Sequence, residues 1–493
     1  MTRTVFFKRI RAVKIIALPL VLAACQSVNP ATGQRQFTPF MSAAQEARIG
    51  AQEHPKILKQ LGGVYDDPEL GAYVASISGR LVANSELAGS PVTVTVLDSP
   101  VVNAFALPGG YIYVTRGLLA LANSEAELAG VLAHEIGHVT ARHTAERYSR
   151  ATVANIGSML LGSVVGSSEL QKLATLGSQA YLAGFSREQE YQADLLGVRY
   201  LGRTGYDPFA EADFLAAMGN YSALEARLAG QDGRAGGSFL STHPGTAKRV
   251  RAAIAAAGGT GSQPHARPRH RDRYLAHIDG MVYGDDPDHG LVQGRVFSHP
   301  RLGFTFTVPR GFQIFNTDDA VIGKGPGDSY VVFDGARAGP HLGMQNYLTG
   351  EWAPKVKLEA VEPLTINGME AATGRTRTTG QRGAFDIRYV AVRFGGDQIY
   401  RFQFVTPPSQ TGALATGLQR TTFSFRRLGT EEITKLKPLR IKVMEAGPGD
   451  SLESLAGPMP FDELKTERLA TLNGMVVGQP LRAGQRIKVI TNR

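Results

Sequence analysis

Cysteine is all but missing from this chain: one of its 493 residues, at position 25. A single thiol cannot form an internal disulfide, so no disulfide framework holds the fold together. Long apolar runs are scarce as well. The most apolar stretch past the N-terminus, residues 152–166, is too short and too interrupted by glycine to span a bilayer, and reads as a buried or site-covering helix. Charge of one sign does not dominate. The net charge is +10, but Arg3, Lys8, Arg9, Arg11 and Lys14 supply five of those charges before the first acidic residue. The remainder is too small to argue for a nucleic-acid partner. With 43% hydrophobic and 19% charged residues the composition is that of a globular protein, and the length suggests about three domains.

The basic N-terminus runs into a short apolar segment, Ile15 to Leu22, and then Leu22-Ala23-Ala24-Cys25. This is the order of an export signal, and its end resembles a bacterial lipobox, in which the cysteine is lipidated and becomes the mature N-terminus. That reading gives the sole cysteine a use. Gln26 is not the aspartate that resembles an inner-membrane retention signal, so the expectation is a periplasm-facing lipoprotein of the outer membrane in a bacterial cell envelope, held to the membrane by its lipid.

Residues 1–24 are then a signal peptide and 25–41 a tether containing the turn cluster Asn29-Pro30-Ala31-Thr32-Gly33. A mainly helical domain with a small β-sheet is expected over 42–257. Residues 258–295 read by composition as a linker. Short strands separated by turns predict an α+β domain of unknown role over 296–428. Residues 438–493 resemble a LysM module, a small βααβ unit, on Ile441-Lys442-Val443, Gly449-Asp450-Ser451-Leu452, Leu472-Asn473-Gly474 and Leu481 through Ile490. The resemblance implies peptidoglycan contact. The insertion Gly457-Pro458-Met459-Pro460 departs from the usual spacing and leaves a spacer or protein-docking module equally open.

Chemistry concentrates in His134-Glu135-Ile136-Gly137-His138. The preceding residues, Ser124 to Ala133, are good helix formers that lead straight into the motif. Histidines at i and i+4 on one helical face can both reach one metal ion, and the glutamate between them is placed to act on a metal-bound water. A catalytic zinc site needs a third protein ligand and one open position. The metzincin spacing fails, because Thr144 stands where its third histidine would be and Ala141 where its glycine would be. His143, five residues after His138, reads as a structural or supporting histidine. Downstream, Glu190 and Asp194 are spaced i, i+4 on a second predicted helix. That spacing lets Glu190 coordinate zinc while Asp194 accepts a hydrogen bond from the far nitrogen of a ligand histidine, although taken alone the segment reads as a solvated acidic face.

Asn103 through Leu119, the HEIGH motif, and Ser186-Arg187 through Glu190 to Asp194, in that order, resemble the HtpX and CAAX-prenyl-protease family of gluzincin-type zinc metallopeptidases, over roughly residues 42–255. The resemblance implies one zinc ion per chain on His134, His138 and Glu190, with Glu135 as general base and acid. It also singles out His243, in Leu240-Ser241-Thr242-His243-Pro244, as an oxyanion donor or as a gate on the zinc's open position; a helix-capping turn is the third reading. Gly110-Tyr111-Ile112-Tyr113 is expected to be an edge strand that pairs with an extended substrate, with Gly109-Gly110 allowing close approach. The expected activity is endopeptidase cleavage of unfolded or misassembled envelope proteins. An assembly factor or a cell-wall-binding lipoprotein is the alternative.

Overall fold

The computed structural model describes residues 26–38, 41–150, 184–228, 243, 246–317, 320–380 and 383–492. Cys25, the stretch 152–166 and the neighbours of His243 lie outside them. The chain is a mixed helical and sheet protein of two compact units. One is made of the chain up to Met281 together with Ile441–Thr491, and the other of Val282–Arg440.

In the first unit a short hairpin, β1 (Gln26–Val28) and β2 (Arg35–Phe37), precedes the helices Ala43–Gln60 and Pro68–Ala83. A three-stranded sheet follows, of β3 (Thr93–Leu97), β4 (Ala104–Leu107) and β5 (Tyr111–Thr115), and then the helix Arg116–Leu121. The helix Glu125–Thr140 begins at Ser124, whose hydroxyl accepts the Glu127 amide, a cap worth about 1 kcal/mol. It carries both motif histidines and is buried along almost its whole length, more like a core strut than a surface helix. A capping box of Ser186 and Gln189 starts the helix Arg187–Thr204, and Gly205 ends it at φ 91°. These two helices touch closely because Gly137 has no side chain. A Cβ there would come 3.1 Å from the Ala193 carbonyl oxygen and 3.2 Å from Leu196 Cβ.

Several sequence expectations change here. The strand order is β3–β5–β4, so the strand expected at the edge is the central one, hydrogen-bonded on both sides. The reason lies in Gly109 and Gly110, at φ 83° and 84°, which turn β4 back onto β5. A Cβ on Gly110 would meet the Pro91 carbonyl oxygen at 2.6 Å, and one on Gly109 would meet Ala47 Cα at 2.8 Å. The glycines therefore serve that turn and its packing. The sheet edge is β4. Thr115 donates its amide to the Asn103 carbonyl, and the alternation of an antiparallel ladder then turns the backbone groups of Ala104 and Ala106 toward the open side.

The expected tether is folded. Asn29 is buried, and its side chain donates to the Ala141 carbonyl oxygen at 3.2 Å. The expected linker 258–295 also contains structure. Arg271–Ile278 is a helix whose Tyr274, Leu275 and Ile278 are buried. Tyr274, Leu275 and Ile278 form an apolar stripe at helical spacing, which the surrounding Gly, Pro and basic residues mask in any compositional reading.

Residues from 439 onward do form strand, helix, helix, strand: Leu439–Glu445, Leu452–Ala456, Lys465–Leu472 and Arg486–Thr491. Ile441–Thr491 is part of the first unit rather than a unit of its own. Lys488 is buried and donates to the carbonyl oxygens of Ala120 at 2.7 Å, Ala122 at 2.7 Å and Leu121 at 3.4 Å, at the C-terminal end of helix Arg116–Leu121. Those carbonyls lack partners within their own helix, and its dipole favours a cation there. Asn473 braces the contact by accepting the Lys488 amide and donating to its carbonyl, both at 2.8 Å.

The second unit has a seven-stranded antiparallel sheet in the order 313–316, 321–324, 330–337, 398–406, 383–395, 369–380, 359–366. Its core is aromatic, with Phe297, Phe304, Phe306, Phe333, Phe402 and Phe425 all buried. Among the described residues, no helix is long and apolar enough to cross a membrane.

Candidate metal centre

His134 and His138 stand one turn apart on the helix Glu125–Thr140, with their Nε2 atoms 3.0 Å from each other. The helix Arg187–Thr204 brings Glu190 against them from its first turn, at 3.7 Å from His134 and 3.5 Å from His138. His243 completes the group. Its Nδ1 lies 2.9 Å from a Glu190 oxygen and 3.3 Å from His134 Nε2. One ligand atom from each of His134, His138, Glu190 and His243 falls within 4.8 Å of the others, and all four residues are buried. The sequence expectation joined the first three as ligands, and the structure brings them together with His243 among them.

The donor set fits zinc, which takes nitrogen and oxygen ligands in tetrahedral array. His134 Nδ1 lies 2.9 Å from Asp194 Oδ1. Aspartate accepts only, so that nitrogen carries the proton and the Nε2 facing the group is a bare lone pair. Burial lowers the pKa of His138 well below that of a free imidazole, and lowers that of His243 too, which keeps both neutral as ligation requires. Burial alone would raise the Glu190 carboxyl. Its close approach to His243 and its hydrogen bonds with His138 and His243 outweigh burial and hold the group ionised, below the usual carboxylate range.

Glu135 is the exception. Both of its oxygens are buried without a side-chain hydrogen-bond partner among the described residues, and the Ala106 amide faces the carboxyl. Burial first, and then the Glu190 charge, push its pKa well above normal, opposed by Arg249 and by the Ala106 amide on the edge strand β4. Its nearest ring nitrogen is His243 Nε2, at 3.7 Å.

Sequence reasoning missed Arg249. This buried arginine, on the helix Thr246–Gly259, forks onto Asp194 at 2.8 and 2.6 Å and reaches Glu190 at 2.7 Å. One residue thus braces Glu190 and the hydrogen-bond partner of His134. A signal was present: Arg249, Ala253 and Ala257 lie at i, i+4, i+8, a stripe of small residues facing inward, and all three are buried. Glu211 was also missed. It is buried 3.8 Å from His134 Nδ1, and burial together with Asp194 raises its pKa well above normal.

His143, read from the sequence as a structural or supporting histidine, does not lie on a continuation of the same helix. The helix instead ends at Thr140, Arg142 takes φ 55°, and a new turn begins at His143. The reversal returns the His143 ring to His138, with their Nδ1 atoms 2.9 Å apart. Phe185 stacks on His138 with ring centroids 3.8 Å apart.

Residues 68–257 match the family described as Peptidase family M48. The chain is 34% identical over 205 residues to the putative beta-barrel assembly-enhancing protease of Vibrio cholerae, covering 40% of this chain and 41% of that protein. It is 30% identical over 213 residues to the beta-barrel assembly-enhancing protease of Escherichia coli, covering 41% and 42%. To the mitochondrial metalloendopeptidase OMA1 of Schizosaccharomyces pombe it is 32% identical over 228 residues, covering 45% and 64%. The match thus spans about two fifths of the length of these bacterial relatives.

Proposed function

We propose that this chain is a zinc-dependent endopeptidase of the bacterial cell envelope that cleaves unfolded or misassembled envelope proteins. The observation that carries the reading is Glu135, a buried carboxylate with no side-chain hydrogen bond, set beside four residues that could hold a metal. A structural zinc site has no use for such a group, whereas a hydrolase needs it. The similarity of residues 68–257 to Peptidase family M48 supports the same chemistry.

His134, His138 and Glu190 would hold the metal, and Asp194 and Arg249 position them. Zinc, when bound there, supplies a Lewis acid that makes water more acidic and polarises a peptide carbonyl. Glu135 takes a proton from the attacking water on one of its oxygens and returns it to the leaving amine. The backbone of Ala104 and the carbonyl of Ala106, on the open side of β4, pair with an extended peptide. Recognition through main-chain groups tolerates many sequences, as an enzyme acting on unfolded chains requires.

His243 acts as a gate on this reading. Its place among the ligand atoms supports that role over oxyanion donor, and it must swing aside before substrate enters. The envelope location draws on the lipobox-like Leu22–Cys25 and on the names of the bacterial relatives. The LysM-like segment would add contact with peptidoglycan.

The test compares wild type with Glu135→Gln on unfolded casein, with and without a chelator. Cleavage by wild type alone, abolished by the chelator, is expected. Equal cleavage by both proteins would sink the proposal. Should wild type be silent, His243→Ala is expected to release activity, and silence there too, with zinc bound, refutes the endopeptidase reading.

A further inference from the structure

One chain of hydrogen bonds leaves the metal site and ends in the N-terminal hairpin. It can be read atom by atom from its outer end, where two groups have fixed roles. The backbone amides of Ala31 and Thr32 can only donate, and both point at Asn29 Oδ1, at 3.0 and 3.2 Å. They fix the orientation of the Asn29 amide, so its Nδ2 faces the other way. There it donates to the Ala141 carbonyl oxygen at 3.2 Å and to Gln192 at 3.3 Å. The Gln192 atom receiving that bond is therefore its oxygen. The same oxygen lies 2.7 Å from His143 Nε2, which must then be the protonated nitrogen. A neutral imidazole that donates at one nitrogen accepts at the other. His143 Nδ1 is thus an acceptor, 2.9 Å from His138 Nδ1, which carries the proton. The remaining nitrogen of His138, Nε2, is left bare and faces the ligand group.

We infer that His143 is a positioning residue that fixes the ligand tautomer of His138, and that Asn29 of the β1–β2 hairpin holds the outer end of the relay through Gln192. His134 and His138 are oriented by different devices: a carboxylate braced by Arg249 for the first, and a histidine–glutamine–asparagine relay for the second. The inference rests on the zinc reading above. It makes the hairpin that follows Cys25 in sequence a working part of the metal site.

Zinc affinity tests it, measured by competition with a chromogenic chelator, together with the visible spectrum of the cobalt-substituted protein. Wild type binding one zinc per chain checks the underlying reading separately. His143→Phe removes the acceptor and should weaken zinc binding by roughly 10–100-fold and alter the cobalt spectrum. His143→Gln retains an acceptor and should restore most of the affinity. Asn29→Ala should weaken binding in the same direction by a smaller factor. Unchanged affinity in His143→Phe overturns the inference, and so does an equal loss in His143→Phe and His143→Gln. If His143→Phe does not fold, Gln192→Leu decides by the same titration, with weaker binding expected and unchanged binding overturning the proposal.

Discussion

His134 and His138 meet nitrogen to nitrogen at 3.0 Å, and their outward nitrogens are each engaged elsewhere, by Asp194 and by His143. Two lone pairs at that separation repel unless a cation stands between them. Removing metal is therefore expected to cost stability as well as activity. With free zinc at a hundred times its dissociation constant, binding adds about 2.7 kcal/mol. Thermal unfolding with and without a chelator measures this, and coincident melting curves would contradict it.

Arg249 contacts Asp194 and Glu190 at once through separate nitrogens of its planar head. A lysine carries the same charge but has a single nitrogen and cannot span both carboxylates. Arg249→Lys is expected to weaken zinc binding by roughly 10–100-fold while leaving the helix content intact. Wild-type affinity in this variant would show that charge alone suffices.

Glu125, at the first turn of the helix that carries both histidines, accepts from Tyr206, from Tyr73 at 2.8 Å and from Arg80 at 2.6 Å. Burial alone would raise its pKa, but these three donors outweigh burial and hold it below 4.5. A carboxyl whose folded pKa is depressed contributes stability in full above its unfolded value. That contribution is lost as pH falls through the folded value. Urea unfolding should therefore show stability declining below about pH 4.5. Glu125→Gln should lose roughly 2 kcal/mol at pH 7 and show a flatter acid limb. Parallel pH profiles for the two proteins would refute the assignment.

Lys488 docks residues 441–491 against the end of helix Arg116–Leu121. Burial pushes the pKa of its amine well down, and the carbonyls around it offset that cost. Lys488→Met removes the amine donor from the Ala120 and Ala122 carbonyls and should destabilise the first unit by roughly 3 kcal/mol. The urea midpoint reports the loss. An unchanged midpoint would mean that the segment rests on the helix without supporting it.

Much of the site was legible because its information is local. His134, Glu135 and His138 share one helical turn, and Glu190 and Asp194 share another, so spacing alone groups each set. What sequence could not supply depends on packing between distant elements. Arg249 reads as one more base on a helix until the inward stripe with Ala253 and Ala257 is noticed. Lys488 alternates within a strand, and nothing near it in sequence announces the carbonyls of residues 120–122. The strand Tyr111–Thr115 was recognised, but whether a strand is central or an edge is decided by its neighbours. The route by which His143 returns to His138 was not legible, because a left-handed arginine that ends a helix has no compositional marker.

The first unit is discontinuous: Val282–Arg440 separates its two parts in the sequence. This has a consequence for the order in which a growing polypeptide can mature. The ligand residues emerge from the ribosome well before Lys488 and the strand Arg486–Thr491, and an entire second unit is translated in the interval. Chains terminated anywhere in that interval carry the full histidine–glutamate set but lack the residue that seals the end of helix Arg116–Leu121. A chain that stops before Lys488 is therefore expected to hold its first unit less firmly than one that reaches Thr491.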